Sequence, residues 1–252
     1  NPIRIRNTEI GTGIPKICVP IVGVTQKDIL EAAEMIKLSA ADFAEWRVDW
    51  YEDVLNPEKT EDTLRRLRNI LGDMPLLFTF RTSAEGGEKE IRKETYTELN
   101  QQAAQSGFVD IIDVELFAGD DVVKDIIETA HSCGVKVIVS NHDFHSTPPK
   151  DEIVSRLRKM QDFRADIPKI AVMQKKKKDV LTLLSATEEM TSRYADRPVI
   201  TMSMSGTGLI SRLCGEVFGS AVTFGAVGKA SAPGQIEAEE MAEVLKLLHR
   251  SM

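Results

Sequence analysis

The sequence predicts an α/β protein of the (β/α)₈ TIM-barrel class, with an N-terminal β-hairpin closing the barrel floor. Three observations predict it. Eight short apolar runs rich in β-branched residues alternate with segments of helical periodicity, the pattern of repeated βα units around a parallel sheet. The repeat averages roughly 31 residues over eight units, which suits a complete barrel better than an open sheet with a second domain. No Pro/Gly/Ser-rich linker divides the chain, so residues 1–252 read as a single domain.

The strand candidates in order are 17–23, 43–49, 75–82, 109–116, 136–142, 168–173, 199–204 and 221–227. Between them lie amphipathic stretches with apolar residues three or four apart, such as Ile29, Ala33 and Ile36, or Ile153, Leu157 and Met160; these are the outer helices. Ile236, Met241, Leu245 and Leu248 supply the eighth. Ahead of the first strand, Ile3 and Ile5 alternate with Arg4 and Arg6, and Gly11 and Gly13 follow, which suits a small hairpin plugging the floor.

With 42% hydrophobic and 28% charged residues the chain can bury a sizeable core and remain soluble. No apolar run approaches the ~20 residues of a membrane helix, so no membrane partner is expected. A net charge of -7 argues against nucleic acid, because phosphate backbones reward a concentrated positive surface. The basic run Lys175 to Lys178 at the start of a helical pattern reads as a solvated face. Cys18, Cys133 and Cys214 are odd in number and widely spaced, which suits thiols in a reducing, cytoplasmic compartment; no secretory-signal pattern follows Asn1.

A barrel of this class works at the C-terminal ends of its strands, so charges within or just after apolar runs carry the chemistry. In the second run, Glu45, Arg47 and Asp49 fall on one face by the two-residue period. They form either a polar network in the barrel mouth or a structural ion-pair cluster. The third run leads to Arg81 and then to Glu85-Gly86-Gly87, where paired glycines permit a turn that folds the carboxylate over the mouth. Asp113 and Glu115 share a face of the fourth run, as buried partners for a cation. The fifth run delivers His142, a candidate base, with His145 as its rival. No third ligand follows that pair at a recognisable spacing, so a metal site is not expected.

Lys169 interrupts the apolar sixth run. An amine buried there would be desolvated toward its neutral, nucleophilic form and could bond with a carbonyl carbon; the alternative is a strand-start lysine reaching solvent at the floor. After the seventh run, small residues from Ser203 to Gly208 and then Arg212 suit an anion, either a phosphate or a carboxylate held by the guanidinium fork. The segment 229–235 after the eighth run reads as a polar lid carrying Ser231 and Gln235.

In this order, the segments Glu45-Trp-Arg-Val-Asp49, Phe78-Thr-Phe-Arg81 with Glu85-Gly-Gly87, Asn141-His-Asp-Phe144, Pro168-Lys169, Met202-Ser-Met-Ser-Gly206, Ser211-Arg212 and Ser231-Ala-Pro-Gly-Gln235 resemble the type I 3-dehydroquinate dehydratases, over nearly the whole chain. The resemblance implies a shikimate-pathway enzyme that converts 3-dehydroquinate to 3-dehydroshikimate by syn elimination of water, with no cofactor. It implies that Lys169 forms a Schiff base, that His142 moves the proton and that Glu85 orients His142. By the same likeness Arg212 clamps the substrate carboxylate, while Glu45, Arg47, Arg81, Ser231 and Gln235 hold hydroxyls. Met202 and Phe224 pack on the carbon ring, and relatives suggest a homodimer. The basic stretch Gln174 to Lys178 lies outside the matched motifs. Two rival readings are a class I aldolase, which would need a phosphate or keto-acid pocket, and a catalytically silent barrel that binds a small acid.

Overall fold

The computed structural model describes residues 1–228 and 235–252. The chain opens with β1 (Ile3–Ile5) and β2 (Thr8–Ile10), an antiparallel hairpin in which Ile3 faces Ile10 and Ile5 faces Thr8. Eight further strands follow: β3 (Lys16–Ile21), β4 (Phe43–Arg47), β5 (Leu76–Thr79), β6 (Ile111–Glu115), β7 (Lys136–Asp143), β8 (Ile167–Met173), β9 (Ile200–Met204) and β10 (Val222–Phe224). They pair in parallel in the order β10-β3-β4-β5-β6-β7-β8-β9. A parallel bridge between Val199 and Ser220 brings β9 to β10, so the sheet's two ends meet and the ring is nearly closed.

The helices α1 (Gln26–Lys37), α2 (Pro57–Leu71), α3 (Lys93–Gln105), α4 (Asp120–Ser132), α5 (Lys150–Asp162) and α6 (Lys177–Arg193) each follow a strand of the ring, and α9 (Ala238–Ser251) ends the chain. Local chemistry fixes several starts. At α1 the Thr25 hydroxyl accepts from the Asp28 N–H while the Asp28 carboxylate accepts from the Thr25 N–H. Asn56 caps α2 through the Lys59 N–H, and Pro57 occupies its first turn. Asp179 accepts from the Lys175 and Lys176 N–H groups, so the basic run winds into α6 as an exposed helix start.

Alternation along the strands builds two cores. Outward residues such as Trp46, Val114, Val139 and Ile170 pack against the helices. Inward residues Cys18, Phe43, Leu77, Ile111, Ile138, Ile167, Ile200 and Val222 fill the lower barrel, and Ile5 and Ile10 of the hairpin join them. The hairpin therefore plugs the floor, as expected. One inward step higher, Phe43 gives way to Glu45, Ile111 to Asp113, Ile138 to Ser140 and Ile167 to Lys169. On these strands the interior changes from apolar to polar or charged within one pleat, while β9 and β10 keep apolar Met202 and Phe224 inward.

The third and eighth runs form shorter strands than expected, ending at Thr79 and Phe224, and two further elements depart more deeply. Strand β4 stops at Arg47, and Val48–Trp50 winds into a 3₁₀ turn, so Asp49, expected in the strand over 43–49, leaves the sheet while remaining fully buried. After β9 the helix is broken: a 3₁₀ turn at Gly206–Gly208 precedes the short α7 (Leu209–Leu213) and α8 (Gly215–Phe218). Arg212 therefore sits near the end of the short α7.

Candidate active site

Lys169 is the third residue of β8, points into the barrel and is 3% exposed. It does not reach solvent at the floor. Its Nζ lies 3.3 Å from Asp113 Oδ2 and 4.4 Å from the centre of the Phe224 ring. The amine thus has a counter-charge on one side and an aromatic face near it.

Asp113 serves more than one donor: its Oδ1 accepts from Arg81 Nη2 at 2.8 Å and from the Ser140 hydroxyl at 2.6 Å. Burial opposes its charge, but Arg81, Lys169 and Ser140 outweigh that and hold its carboxyl below the usual range. Arg81 also donates to Glu115 at 3.0 Å and to Ser140 at 3.0 Å. Arg47 is held by both oxygens of Asp49 at 2.8 Å each. Asp49 accepts in addition from the Arg81 and Glu88 N–H groups, so it ties β4 to the loop that carries Glu85. Glu45 accepts from the Thr79 hydroxyl at 2.9 Å. The charges of the second run form both of the things the sequence allowed, a mouth-facing network and an ion-pair cluster.

Glu85 reaches His142 because of the two glycines behind it. Gly86 has φ 85°, and a Cβ there would lie 2.4 Å from the Phe144 ring; a Cβ on Gly87 would lie 1.8 Å from the Arg81 carbonyl oxygen. The turn formed by Ser83–Glu85 therefore folds back tightly enough for Glu85 Oε2 to accept from the His142 backbone N–H at 2.8 Å and to sit 3.1 Å from its Nδ1. Burial and the nearby Glu115 push the Glu85 carboxyl up to about 8, against the opposing pull of Arg81. Burial, with help from Arg81, Lys169 and Arg47, pushes His142 well below the ordinary imidazole value. The ring is neutral around pH 7.

These groups line one open cavity of about 500 Å³ at the C-terminal ends of the strands. Of the residues singled out from the sequence, Glu45, Arg47, Arg81, Glu85, His142, Lys169, Met202, Arg212, Phe224 and Gln235 all face it. Ser231 lies outside the described residues. Arg212 is 2% exposed, its Nη1 lies 3.5 Å from Met202 Sδ, and burial lowers its pKa to about 10. His145 is exposed and does not line the cavity. Among the described residues, no group of three or more His, Cys, Asp or Glu side chains is placed to hold a metal ion.

Residues 17–252 match the family model described as type I 3-dehydroquinase. The chain belongs to the type I 3-dehydroquinase family. Among its relatives, the 3-dehydroquinate dehydratase of Clostridioides difficile (strain 630) is 56% identical over 250 residues, covering 99% of this chain and 98% of the relative. A crystal structure of a type I 3-dehydroquinate dehydratase from Clostridium difficile, described with covalently modified comenic acid, is similar at a TM-score of 0.98 and 56% identity, covering 100% of this chain and 99% of that one. The 3-dehydroquinate dehydratase of Geobacillus kaustophilus HTA426 has a TM-score of 0.96 at 39% identity, covering 99% and 97%.

In this type I 3-dehydroquinase family member four further residues, not assigned to the site above, line the cavity: Gly86, Phe144, Ala171 and Met204. Two of them were within reach of the strand period, since Ala171 lies two beyond Lys169 and Met204 two beyond Met202 on the same inward faces. Phe144 follows β7, and only the fold brings its ring over Gly86.

Proposed function

We propose that this chain dehydrates 3-dehydroquinate to 3-dehydroshikimate through a Schiff base on Lys169. The observation that carries the reading is a buried amine facing the same small cavity as a neutral imidazole backed by a carboxyl group. The similar Clostridium difficile structure is described with covalently modified comenic acid, which agrees with covalent chemistry in this family.

Lys169 adds to the substrate ketone through its amine nitrogen after giving up its ammonium proton, and loss of water gives an iminium. That cation withdraws electrons from the adjacent C2–H bond. His142 Nε2 removes the C2 proton while the Glu85 carboxylate holds Nδ1–H and stabilises the developing imidazolium. The enamine then expels the C1 hydroxyl, which takes the proton from His142 and leaves as water. Attack by water on the conjugated iminium restores the Lys169 amine and releases the enone. One base serves both proton transfers, so the eliminated groups leave from one face, a syn elimination.

Arg212 fits the substrate carboxylate, because burial strips its guanidinium of competing water. Glu45, Arg47, Arg81, Ser231 and Gln235 bind hydroxyls, while Met202 and Phe224 pack on the ring carbons. No step calls for a cofactor. The reaction belongs to the shikimate pathway of aromatic amino acid biosynthesis, and we place the enzyme in the cytoplasm as a homodimer. Incubating the purified chain with 3-dehydroquinate should produce the ultraviolet absorbance of a conjugated enone. Stereospecifically C2-deuterated substrate should lose only the label on the face of the departing hydroxyl. No enone, or loss of the opposite label, would overturn the reading.

A further inference from the structure

His142 can act as a base only if its ring proton sits on Nδ1. Were Glu85 to carry the proton and donate it to Nδ1, the neutral ring would hold its own hydrogen on Nε2, and the lone pair facing the cavity would be gone. The Glu85–His142 pair therefore needs something that keeps the carboxyl group an acceptor, although burial favours its protonated form.

Two residues outside the cavity lining meet that need. Asn141 neighbours His142 on β7 and points the other way, into the layer between sheet and helices, where it is 3% exposed. Its Nδ2 donates to Glu85 Oε1 at 3.3 Å and its Oδ1 accepts from Arg156 Nη1 at 2.9 Å. Arg156 stands on α5, where Glu152 accepts from its Nε at 2.8 Å and its guanidinium lies 5.4 Å from the centre of the Phe117 ring.

A guanidinium can only donate, so Arg156 forces the oxygen of the Asn141 amide outward and its N–H group toward Glu85. Glu85 Oε1 is then an acceptor, while Oε2 already accepts the His142 backbone N–H. We infer that Arg156 and Asn141 are positioning residues that set the tautomer of His142, through the fixed orientation of one buried amide. The inference rests on the proposed role of His142 as the base. The chain of contacts runs from an exposed-rim ion pair through the sheet to the imidazole; the Arg156–Asn141 and Asn141–Glu85 links each have one direction, and two N–H groups donating to Glu85 favour the charged carboxylate that accepts from Nδ1. The charged groups facing the pair are Arg81 and Glu115 around Glu85, and Arg81, Lys169 and Arg47 around His142. They are unchanged in the variants below.

The test uses the whole chain and the variants Arg156→Gln, Arg156→Lys and Asn141→Asp. Nitrogen-15 NMR of the histidine rings at pH 8.5 should give the Nδ1–H form of His142 in the parent. In Arg156→Gln and Asn141→Asp the Nε2–H form should grow, kcat should fall about tenfold, as when a group orienting a catalytic side chain is lost, and KM should stay within about twofold. The acid limb of kcat should move to higher pH in both. Arg156→Lys, which keeps a donor-only cation, should recover most of the parent behaviour. An unchanged tautomer and pH profile in correctly folded Arg156→Gln would overturn the inference, as would a fall in kcat that leaves the tautomer and pH profile where they were. Absence of dehydration in the parent would instead defeat the proposed function, and the NMR signal would still report on the tautomer.

Discussion

The floor and the mouth of this barrel are built on the same strands by the same two-residue alternation, yet their interiors obey opposite rules. At the floor, Phe43, Leu77, Ile111, Ile138, Ile167 and Ile200 face one another above Ile5 and Ile10 of the hairpin. That layer contributes stability by removing apolar area from water. One pleat higher Glu45, Asp113 and Lys169, with Arg81 reaching them from just beyond β5, are buried almost as completely, at 3%, 0%, 3% and 3% exposure. Burying charge costs stability unless each group is paired, and here the pairing is nearly complete: Asp113 alone serves Lys169, Arg81 and Ser140. The contrast teaches that the floor makes the mouth possible. A rigid apolar base holds strand ends where charges can be kept dry and directed at a substrate.

The strongest way to break this comparison is at Lys169. Lys169→Ala should lower dehydratase kcat by at least about 10⁵-fold, the scale of advantage lost when a positioned covalent partner is removed, and kcat measured by enone absorbance checks it. If the mouth were only a structural cluster, activity would survive. Next in size is the base. His142→Ala should lower kcat by about 10²–10⁴-fold, the range for a general acid-base group, while leaving the amine able to form an adduct that accumulates in intact-protein mass spectra.

The pH dependence sharpens the same contrast. Because Glu85 is pushed up to about 8, the inactive, protonated pair should build up as pH falls through that region. Activity is therefore present above the titration of the pair and lost below it, well above the range of an ordinary carboxylate. His142 itself, pushed down by burial and by Arg81, Lys169 and Arg47, should add no second limb near its usual value. Glu85→Gln cannot ionise, so kcat should be low at every pH and that acid limb should vanish from the profile. At the floor, Ile111→Ala should lower unfolding free energy by about 2–5 kcal/mol, as cavity-forming core substitutions do. The folded fraction should keep a parent-like kcat, which denaturation and assay on one sample would check.

Much of this organisation was legible in the sequence, because alternation reports which residues share a face. It separated Glu45 and Arg47 from Trp46, and it put Asp113 with Glu115 as partners for a cation; Arg81 contacts both. Glu85 was legible through Gly86-Gly87, whose missing side chains are what let Phe144 and the Arg81 carbonyl approach. Other features were not. The 3₁₀ turn at Val48–Trp50 follows from tertiary bonds: Asp49 leaves the strand to accept from Arg47, Arg81 and Glu88 at once. The break between α7 and α8 likewise has no local stop signal stronger than Gly215, which packs against nearby Ser220 and against Pro15 from a distant part of the chain. Asn141 stands in an apolar strand like any buried amide, and its meaning depends on Arg156 fifteen residues later.

The most direct measurement is reductive trapping. Borohydride added to the chain in the presence of 3-dehydroquinate should leave a covalent, ligand-sized mass increment that peptide mapping assigns to Lys169, with none in Lys169→Ala. An increment on any other lysine, or dehydration at the parent rate with nothing trapped on Lys169, would contradict the account.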